Sequence, residues 1–434
     1  MADQGLREYF ADFSKIDWSN HIQVEFSFES LKEPRVTAAH LCQEMSTAQW
    51  RRVGIDEDFR PEFGAKVVDI ENETILKEPS SAFLAQHMGW VKGEQLHACK
   101  VKIAFPVNNI GTRIPNLLTA FCGEGVFHAP YICAIRLEDL VFPDEYLSDF
   151  EGPQFGVKGI RDLLGVYDRP IFMGVIKPNI GLPPEPYARL AYQAWLGGLD
   201  IAMDDELIAD SNWSSLADRC RVLTELRIKA EGETGQRKIF QANITDEVQI
   251  LIPHHDLAVQ LGANALMLNS MTVGLSACRM LRSHAQVPLV SHFDLYGAMT
   301  QIPFQGIRER VFIKLQRMSG FDAILFSGFD SRMKSTTEDV LANVGACLSP
   351  MGNLKPSLPI PAGSQWAGSI KPLYDALGSF DFAVVPGRGV FEHPLGPRGG
   401  AMSLHQAWNA IKLGVDMNDF AINNEELRLA IESR

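Results

Sequence analysis

The chain has few cysteines, and they are poorly placed for cross-linking. Seven cysteines are spread over 434 residues, an odd number with wide spacings and no Cys-x-x-Cys pair. This pattern argues against a disulfide framework and against a structural zinc site. The cysteines are therefore predicted to be buried as small apolar side chains.

The chain also lacks an excess of positive charge. Forty Lys and Arg residues face 53 Asp and Glu residues, which gives a net charge of −13. Nucleic acids and anionic lipid surfaces need a cationic partner, so neither is expected to bind here. No apolar run approaches the ~20 residues of a membrane span, and Met1–Tyr9 is too polar and acidic for a signal peptide. The expected location is therefore the cytoplasm.

Two kinds of fold are predicted along the chain. Residues 1–145 mix strand-like and helical stretches, which indicates an α+β domain. Residues 146–434 contain eight short apolar runs that alternate with amphipathic helical stretches and are followed by a C-terminal helical extension. Strands that alternate with helices form parallel sheets, and eight such units predict a closed (β/α)₈ barrel. The runs are Ile171–Pro178, Leu199–Glu206, Lys238–Thr245, Ala263–Ser270, Pro288–Asp294, Asp322–Gly328, Leu358–Gly363 and Asp381–Gly389.

The ends of the last two runs are rich in glycine. In barrels, the loops after strands seven and eight are the usual phosphate site, because backbone N–H groups can approach an anion there. The candidate phosphate-binding residues are Gly363, Ser364, Gly387, Arg388 and Gly389. The alternative is that these glycines only form turns. No G-x-G-x-x-G or Walker A sequence is present, so no nucleotide cofactor is expected.

Other strand ends carry ionisable side chains. Asp205 and Glu206 offer the hard oxygen ligands that Mg²⁺ prefers, although an acidic run can also be solvated or paired. Lys177 could act as a base if burial or a nearby cation lowers its pKa. It could instead pair with Asp205 or Glu206 across the barrel mouth. His292, followed by Asp294, could be a ligand, an acid–base group or a core residue.

A further histidine pair precedes an aspartate at His254, His255 and Asp256. It resembles a metal-binding cluster. Because adjacent residues at a helix start face different ways, we predict that it lies on the surface.

Several motifs, in this order along nearly the whole chain, resemble the RuBisCO large-chain superfamily. They are EMSTAQW (Glu44–Trp50), RLEDLVFP (Arg136–Pro143), GVIKPNIGL (Gly174–Leu182), GGLDIAMDDE (Gly197–Glu206) and HPLG (His393–Gly396). The stretches Ser46–Phe59 and Pro386–Pro397 are most similar to RuBisCO-like proteins, form IV, of the type found in phototrophic bacteria.

The resemblance implies a ferredoxin-like N-terminal domain followed by the barrel, and a head-to-tail homodimer. In such a dimer the partner chain would contribute Glu44, Trp50 and Glu124 to the site, the last where the true carboxylase has an asparagine. The resemblance also implies Lys177, His292 and a loop-six lysine, Lys334, as catalytic residues.

Departures from the family pattern affect the predicted reaction. Met203 stands where the carboxylase carbamylates a lysine to complete its Mg²⁺ site, so Mg²⁺ at Asp205 and Glu206 is expected to be weak. Four other family positions are changed as well, with Asn179 for a lysine, Phe293 for an arginine, Phe326 for a histidine and Ala362 for a serine.

These departures indicate a RuBisCO-like protein that does not fix CO₂. The predicted reaction is enolisation or isomerisation of a phosphorylated, sugar-like substrate, including a sulfur-containing one, in sulfur metabolism. The alternative is a non-catalytic or regulatory descendant involved in stress or sulfur response.

Overall fold

The computed structural model describes residues 6–49, 57–208 and 210–434. These residues form two compact units. The first unit holds the described residues up to Phe150 together with Tyr296–Leu315 and Pro350–Asn353. The second holds Glu151–Leu295, Gln316–Ser349 and Leu354–Arg434.

The strands are β1 (His21–Ser30), β2 (Lys66–Leu76), β3 (Leu96–Pro106), β4 (Ile132–Val141), β5 (Ile171–Val175), β6 (Ile201–Met203), β7 (Ile239–Asn243), β8 (Ala265–Asn269), β9 (Leu289–His292), β10 (Gly306–Ile307), β11 (Ala323–Ser327), β12 (Leu358–Ala362) and β13 (Ala383–Val384). The helices begin with α1 (Pro34–Glu44), α2 (Arg60–Phe63), α3 (Ala82–His87), α4 (Ile114–Cys122), α5 (Glu124–His128), α6 (Asp144–Leu147), α7 (Gly156–Leu164), α8 (Pro184–Leu196), α9 (Leu216–Thr234) and α10 (Leu251–Gln260). They continue with α11 (Ser270–Val273), α12 (Leu275–His284), α13 (Tyr296–Thr300), α14 (Glu309–Met318), α15 (Thr337–Leu348), α16 (Ile370–Leu377), α17 (Arg388–Phe391), α18 (Gly396–Leu413), α19 (Met417–Ala421) and α20 (Glu425–Glu432).

The first unit is built on an antiparallel sheet in the order β4-β1-β3-β2. Helix α1 lies between β1 and β2 in the chain, and α4 lies between β3 and β4. Alternate residues of β1, such as Val24 and Phe26, are buried, as expected for a sheet with one covered face. This order confirms the predicted ferredoxin-like fold.

A fifth strand extends this sheet. β10 pairs in parallel with β4, with Gly306 opposite Arg136 and Ile307 opposite Leu137. The amphipathic pattern of Gly306–Met318 predicts a helix over this whole stretch, and the prediction is wrong at its start. Gly306 has φ of 109°, and a Cβ there would lie 2.1 Å from the Met299 carbonyl oxygen, so helical backbone begins only at Glu309.

The second unit contains the predicted barrel. Its eight strands are parallel and adjacent in the order β12-β11-β9-β8-β7-β6-β5-β13. Inward-facing side chains such as Met173, Met203, Met267 and Ile360 pack together in a buried core. The predicted eighth run is mostly not strand: β13 covers only Ala383–Val384, and α17 starts after Gly387.

The cysteine prediction is confirmed for six of the seven residues, which are buried free thiols, whereas Cys122 is half-buried. Among the helices described, none combines the length and apolarity of a bilayer-crossing segment.

Candidate active site

The carboxyl ends of β5 and β6 bring Lys177 and Asp205 into direct contact. The Lys177 Nζ lies 2.5 Å from Asp205 Oδ2. The other carboxylate oxygen, Oδ1, accepts a hydrogen bond from the Leu207 amide at 3.1 Å, and the Asp205 side chain is 0% exposed. Of the alternatives raised by the sequence, pairing of Lys177 with Asp205 is the one the structure shows.

Gly387 gives the lysine room. A Cβ at Gly387 would lie 2.9 Å from Cε of Lys177. This contact is a packing reason for glycine at the end of β13, whether or not its backbone also binds an anion. A substitution there would require the Lys177 side chain to shift.

A second cluster forms where β6 and β9 end. His292 Nδ1 lies 3.3 Å from Asp294 Oδ2, and His292 Nε2 lies 3.6 Å from Glu206 Oε2. The Phe293 ring stacks on the imidazole with centroids 4.8 Å apart and so limits its rotation. Burial, together with the nearby Asp205 carboxylate, raises the pKa of Glu206, and His292 opposes this rise.

Buried polar contacts fix the loop that carries Asp205 and Glu206. Asp204 is buried with Arg219, whose Nε lies 3.3 Å from Asp204 Oδ2. The Asn243 side-chain amide donates to the carbonyl oxygens of Glu206 and Ile208, each at 3.1 Å. The first aspartate of the Asp-Asp-Glu run is thus structural, and the other two face the site.

Met203, which the resemblance places at the family's carbamate position, offers no metal ligand. It is fully buried, and its sulfur accepts a hydrogen bond from Gln241 Nε2 at 3.9 Å. Because Met203 cannot carry a carbamate and Asp205 is engaged by Lys177 and Leu207, these residues do not fit the family's Mg²⁺ site.

The predicted phosphate loop after β12 contacts a carboxylate that sequence reasoning missed. A Cβ at Gly363 would lie 2.7 Å from the Cβ of Asp330. Burial opposes ionisation of Asp330, but hydrogen bonding to Ser364 and the neighbouring Arg332 hold its pKa below the usual range. The only signal in the sequence is an acidic residue two positions after Gly328, at the start of loop six.

The remaining barrel residues are more dispersed. The Arg388 side chain is 75% exposed on α17, with Nε 3.7 Å from Glu392 Oε1. A Cβ at Gly389 would lie 2.4 Å from the Gln365 carbonyl oxygen, so this glycine allows a close backbone approach. Lys334 follows a short turn, Ser331–Met333. Its side chain is exposed, and its backbone φ is 57°.

Two of the three predicted partner-chain residues lie in the first unit. Glu44 ends α1 and is half-buried, whereas Glu124 begins α5 and is exposed. Their neighbours Met45 and Gly125 pack together, since a Cβ at Gly125 would lie 3.0 Å from Cβ of Met45. Trp50 lies outside the described residues.

The surface prediction for His254, His255 and Asp256 on α10 is wrong for His255, whereas His254 is half-buried and Asp256 is exposed. His255 is fully buried, because the helical period places it on the same face as Leu251 and Ala258. Its Nε2 accepts the Gln286 amide at 3.2 Å, which leaves Nδ1 to donate to Asp256 at 2.9 Å. Asp256 also contacts His284 Nε2 at 2.6 Å. Both nitrogens of His255 are thus occupied by hydrogen bonds.

Comparisons with known proteins agree with this architecture. The family model described as the ribulose bisphosphate carboxylase large chain, catalytic domain, matches residues 156–433, and the N-terminal domain model of the same chain matches residues 10–146. A ribulose bisphosphate carboxylase-like protein of Allochromatium vinosum is 51% identical over 423 residues, covering 98% of this chain and 92% of that protein.

Solved structures show the same fold. A rubisco-like protein from Burkholderia fungorum has a TM-score of 0.86 at 27% identity, covering 95% of this chain and 99% of that chain. A dimeric archaeal Rubisco from Hyperthermus butylicus has a TM-score of 0.84 at 26% identity, covering 98% of this chain and 99% of that chain.

Proposed function

Because the chain belongs to the RuBisCO large-chain family and is RuBisCO-like, we propose that it catalyses the enolisation or isomerisation of a phosphorylated, sugar-like substrate without fixing CO₂. The observation that carries this proposal is the Lys177–Asp205 pair, with Nζ 2.5 Å from Oδ2, at the barrel mouth beside Gly387. A simple binding module has no need of a base. A link to sulfur metabolism is part of the same proposal and rests on the family resemblance.

In the proposed reaction, a proton leaves the carbon next to the substrate carbonyl, and an enolate forms. Lys177 is proposed to act as the base in its neutral amine form, and Asp205, with Oδ2 2.5 Å from Nζ, is the nearest acceptor for the proton that the ammonium group must first give up. The amine then takes the substrate proton and returns it to the neighbouring carbon. His292, from the next cluster, is proposed to face the developing oxyanion.

The phosphate group is proposed to bind at the backbone of Gly363–Ser364 and Gly387–Gly389. The first amides of α17, those of Arg388 and Gly389, precede the helical acceptors and so have no partner within that helix. Arg388, at the start of α17, and Lys334, in loop six, are exposed cations that can approach a bound phosphate. Lys334 remains the third proposed catalytic residue.

Mg²⁺ binding to the protein alone is expected to be weak and independent of CO₂. Met203 cannot form a carbamate, and removal of one anionic ligand reduces the Coulombic attraction for a divalent ion. Calorimetric titration with Mg²⁺, with and without bicarbonate, measures this directly. Tight binding that requires CO₂ would contradict the expectation.

The dimer is proposed to share its active sites, as the family resemblance implies. A mixed dimer of Lys177→Met and Trp50→Ala chains is then expected to recover activity, because one of its two sites has both halves intact. Each parent dimer serves as the inactive control. If mixed dimers are confirmed by mass but stay as inactive as their parents, the shared site is wrong.

One observation favours the alternative of a non-catalytic descendant. Asp330 hydrogen-bonds with Ser364 and lies against Gly363, so a carboxylate competes with phosphate for this loop. Proton NMR in D₂O separates the two functions. A panel of phosphorylated ketoses and aldoses, with and without a thioether tail, is expected to show deuterium incorporation next to the carbonyl for at least one member. No exchange with any member, despite measured binding, would favour the regulatory role.

A further inference from the structure

Asp294 is a carboxylate that neither the proposed reaction nor the family motifs use. It follows β9 by two residues, and it lies beside His292 together with Glu206. One nitrogen or oxygen atom from each of these three residues lies within 4.8 Å of the atoms offered by the other two. Among the residues that the structure describes, His292 Nδ1 is buried and has no hydrogen-bond partner.

We propose that Glu206, His292 and Asp294 bind one divalent transition-metal ion of the zinc, cobalt or manganese class. This site replaces the family's Mg²⁺ site and uses only one of its residues, Glu206.

The contacts of His292 with the two carboxylates are longer than ordinary hydrogen bonds. The distances of 3.3 Å and 3.6 Å from the two imidazole nitrogens to the carboxylate oxygens exceed the ~2.7–3.2 Å of ordinary N–H···O hydrogen bonds. One ion can bind only one imidazole nitrogen, and the set of one nitrogen and two carboxylate oxygens spans up to 4.8 Å. Ligands of one tetrahedral ion at ~2.0–2.1 Å lie roughly 3.3 Å apart, so the set must contract to bind a metal. The imidazole is 6% exposed and held by Phe293, whereas the two carboxylates are more exposed and can rotate to close the 4.8 Å span.

The chemistry of the donors selects the metal. Mg²⁺ prefers oxygen ligands only and retains several waters. An imidazole with two carboxylates suits zinc, cobalt or manganese. Asp205 is excluded from the set because Lys177 and the Leu207 amide already occupy its two oxygens.

The local charge also favours a cation. Two carboxylates, those of Glu206 and Asp294, lie beside the His292 imidazole, and a third, that of Asp205, lies near Glu206 and is contacted by Lys177. A divalent ion would compensate the remaining two. If the enolisation proposed above is correct, the ion would also polarise the substrate carbonyl, and only that part of the inference rests on the proposed function.

The test is a titration of the metal-free protein with Co²⁺ alone, followed by its visible absorption and by equilibrium dialysis. Wild type is expected to bind one Co²⁺ per chain. Asp294→Asn and His292→Gln are each expected to weaken binding by at least ~10–100-fold, the loss seen when even an outer-shell partner of a metal ligand is removed.

Two variants discriminate between sites. Asp205→Asn removes the family's ligand and is expected to leave Co²⁺ affinity within a few-fold of wild type. Should that variant fail to fold, the charge-balanced Lys177→Met/Asp205→Asn protein takes its place. Asp256→Asn is the matched control for the other histidine–aspartate cluster and is expected to bind Co²⁺ normally.

Thermal melting of each metal-free variant shows whether it is folded. Absence of stoichiometric Co²⁺ binding by wild type, binding that survives Asp294→Asn but is lost in Asp205→Asn, or binding that is lost in Asp256→Asn would each overturn the inference. Deuterium exchange by a protein that binds no Co²⁺ would overturn the metal site and leave the proposed function standing.

Discussion

Lys177→Met is expected to slow deuterium exchange of the true substrate by about 10²–10⁴-fold, the usual cost of removing a general base. Inorganic phosphate is expected to bind the variant as it binds wild type, because the proposed anion site consists of backbone N–H groups of other strand ends. Exchange is measured by proton NMR, and phosphate binding by calorimetry.

Lys177→Met also breaks the Lys177–Asp205 ion pair, so its effect on stability needs a control. Loss of Lys177 leaves Asp205 as an uncompensated charge at a position that is 0% exposed. Breaking a buried pair on one side typically costs ~3–5 kcal/mol of stability. The double variant Lys177→Met/Asp205→Asn removes both charges and is expected to regain most of the lost melting temperature without regaining activity.

These two variants separate chemistry from folding. Recovery of exchange in the double variant would show that the single variant failed through instability. Undiminished exchange in the folded Lys177→Met protein would move the proton-transfer role to another group, with His292 the first candidate.

Ribulose bisphosphate is expected to bind at least ~10²-fold more weakly than a monophosphate with an apolar or thioether tail. The resemblance implies a second phosphate site for the family's bisphosphate, with an arginine and a histidine that are Phe293 and Phe326 in this chain. Phe293 is a half-buried ring stacked on His292. A second phosphate there would lose water without gaining a donor, which costs several kcal/mol, at ~1.4 kcal/mol per tenfold in affinity.

Calorimetry with both ligand types measures the difference. Phe293→Arg restores a guanidinium donor and is expected to narrow the gap, and Phe293→Leu is the matched control without a donor. Micromolar bisphosphate binding by the wild-type chain that survives Arg388→Ala would reveal a second phosphate site elsewhere.

Of the two aromatic replacements, Phe326 does not contribute to this expected difference in affinity. Phe326, the second aromatic residue at a phosphate-binding position of the family, is 0% exposed and lies in β11 opposite Pro361. It therefore offers the substrate no ring face. The apolar character of the pocket depends on Phe293, so the variants are placed there.

Much of the architecture is readable from the sequence because the signals are long and periodic. All eight apolar runs of the barrel contain a strand, and each of the predicted amphipathic stretches between them contains helical residues. β10 is missed because two residues give no periodicity. It pairs with β4, a strand far earlier in the chain, so no local pattern indicates the pairing.

The candidate site, too, is predicted from the sequence only in part. The family motifs identify Lys177, Asp205 and His292. Asp294 is also identified, because it lies at the end of a predicted barrel strand. Which carboxylate each cation contacts is not encoded locally, because Lys177 could reach Asp205 or Glu206. Asp330 starts loop six, where the resemblance identifies only Lys334, and its contact with Gly363 depends on the fold of two separate strand ends.

The fifth strand of the first sheet has a practical consequence for dissecting the molecule. A fragment that ends at Phe150 would lack Gly306–Ile307 and would expose the outer edge of β4 as unpaired N–H and C=O groups. It would also lose the Arg308 guanidinium, whose Nε lies 2.7 Å from the buried Glu138 carboxylate. Bare edges of this kind are templates for strand addition by another chain. The excised piece would therefore tend to self-associate through β4, and a stable excised version would need residues 296–315 grafted back or a charged residue placed on that edge.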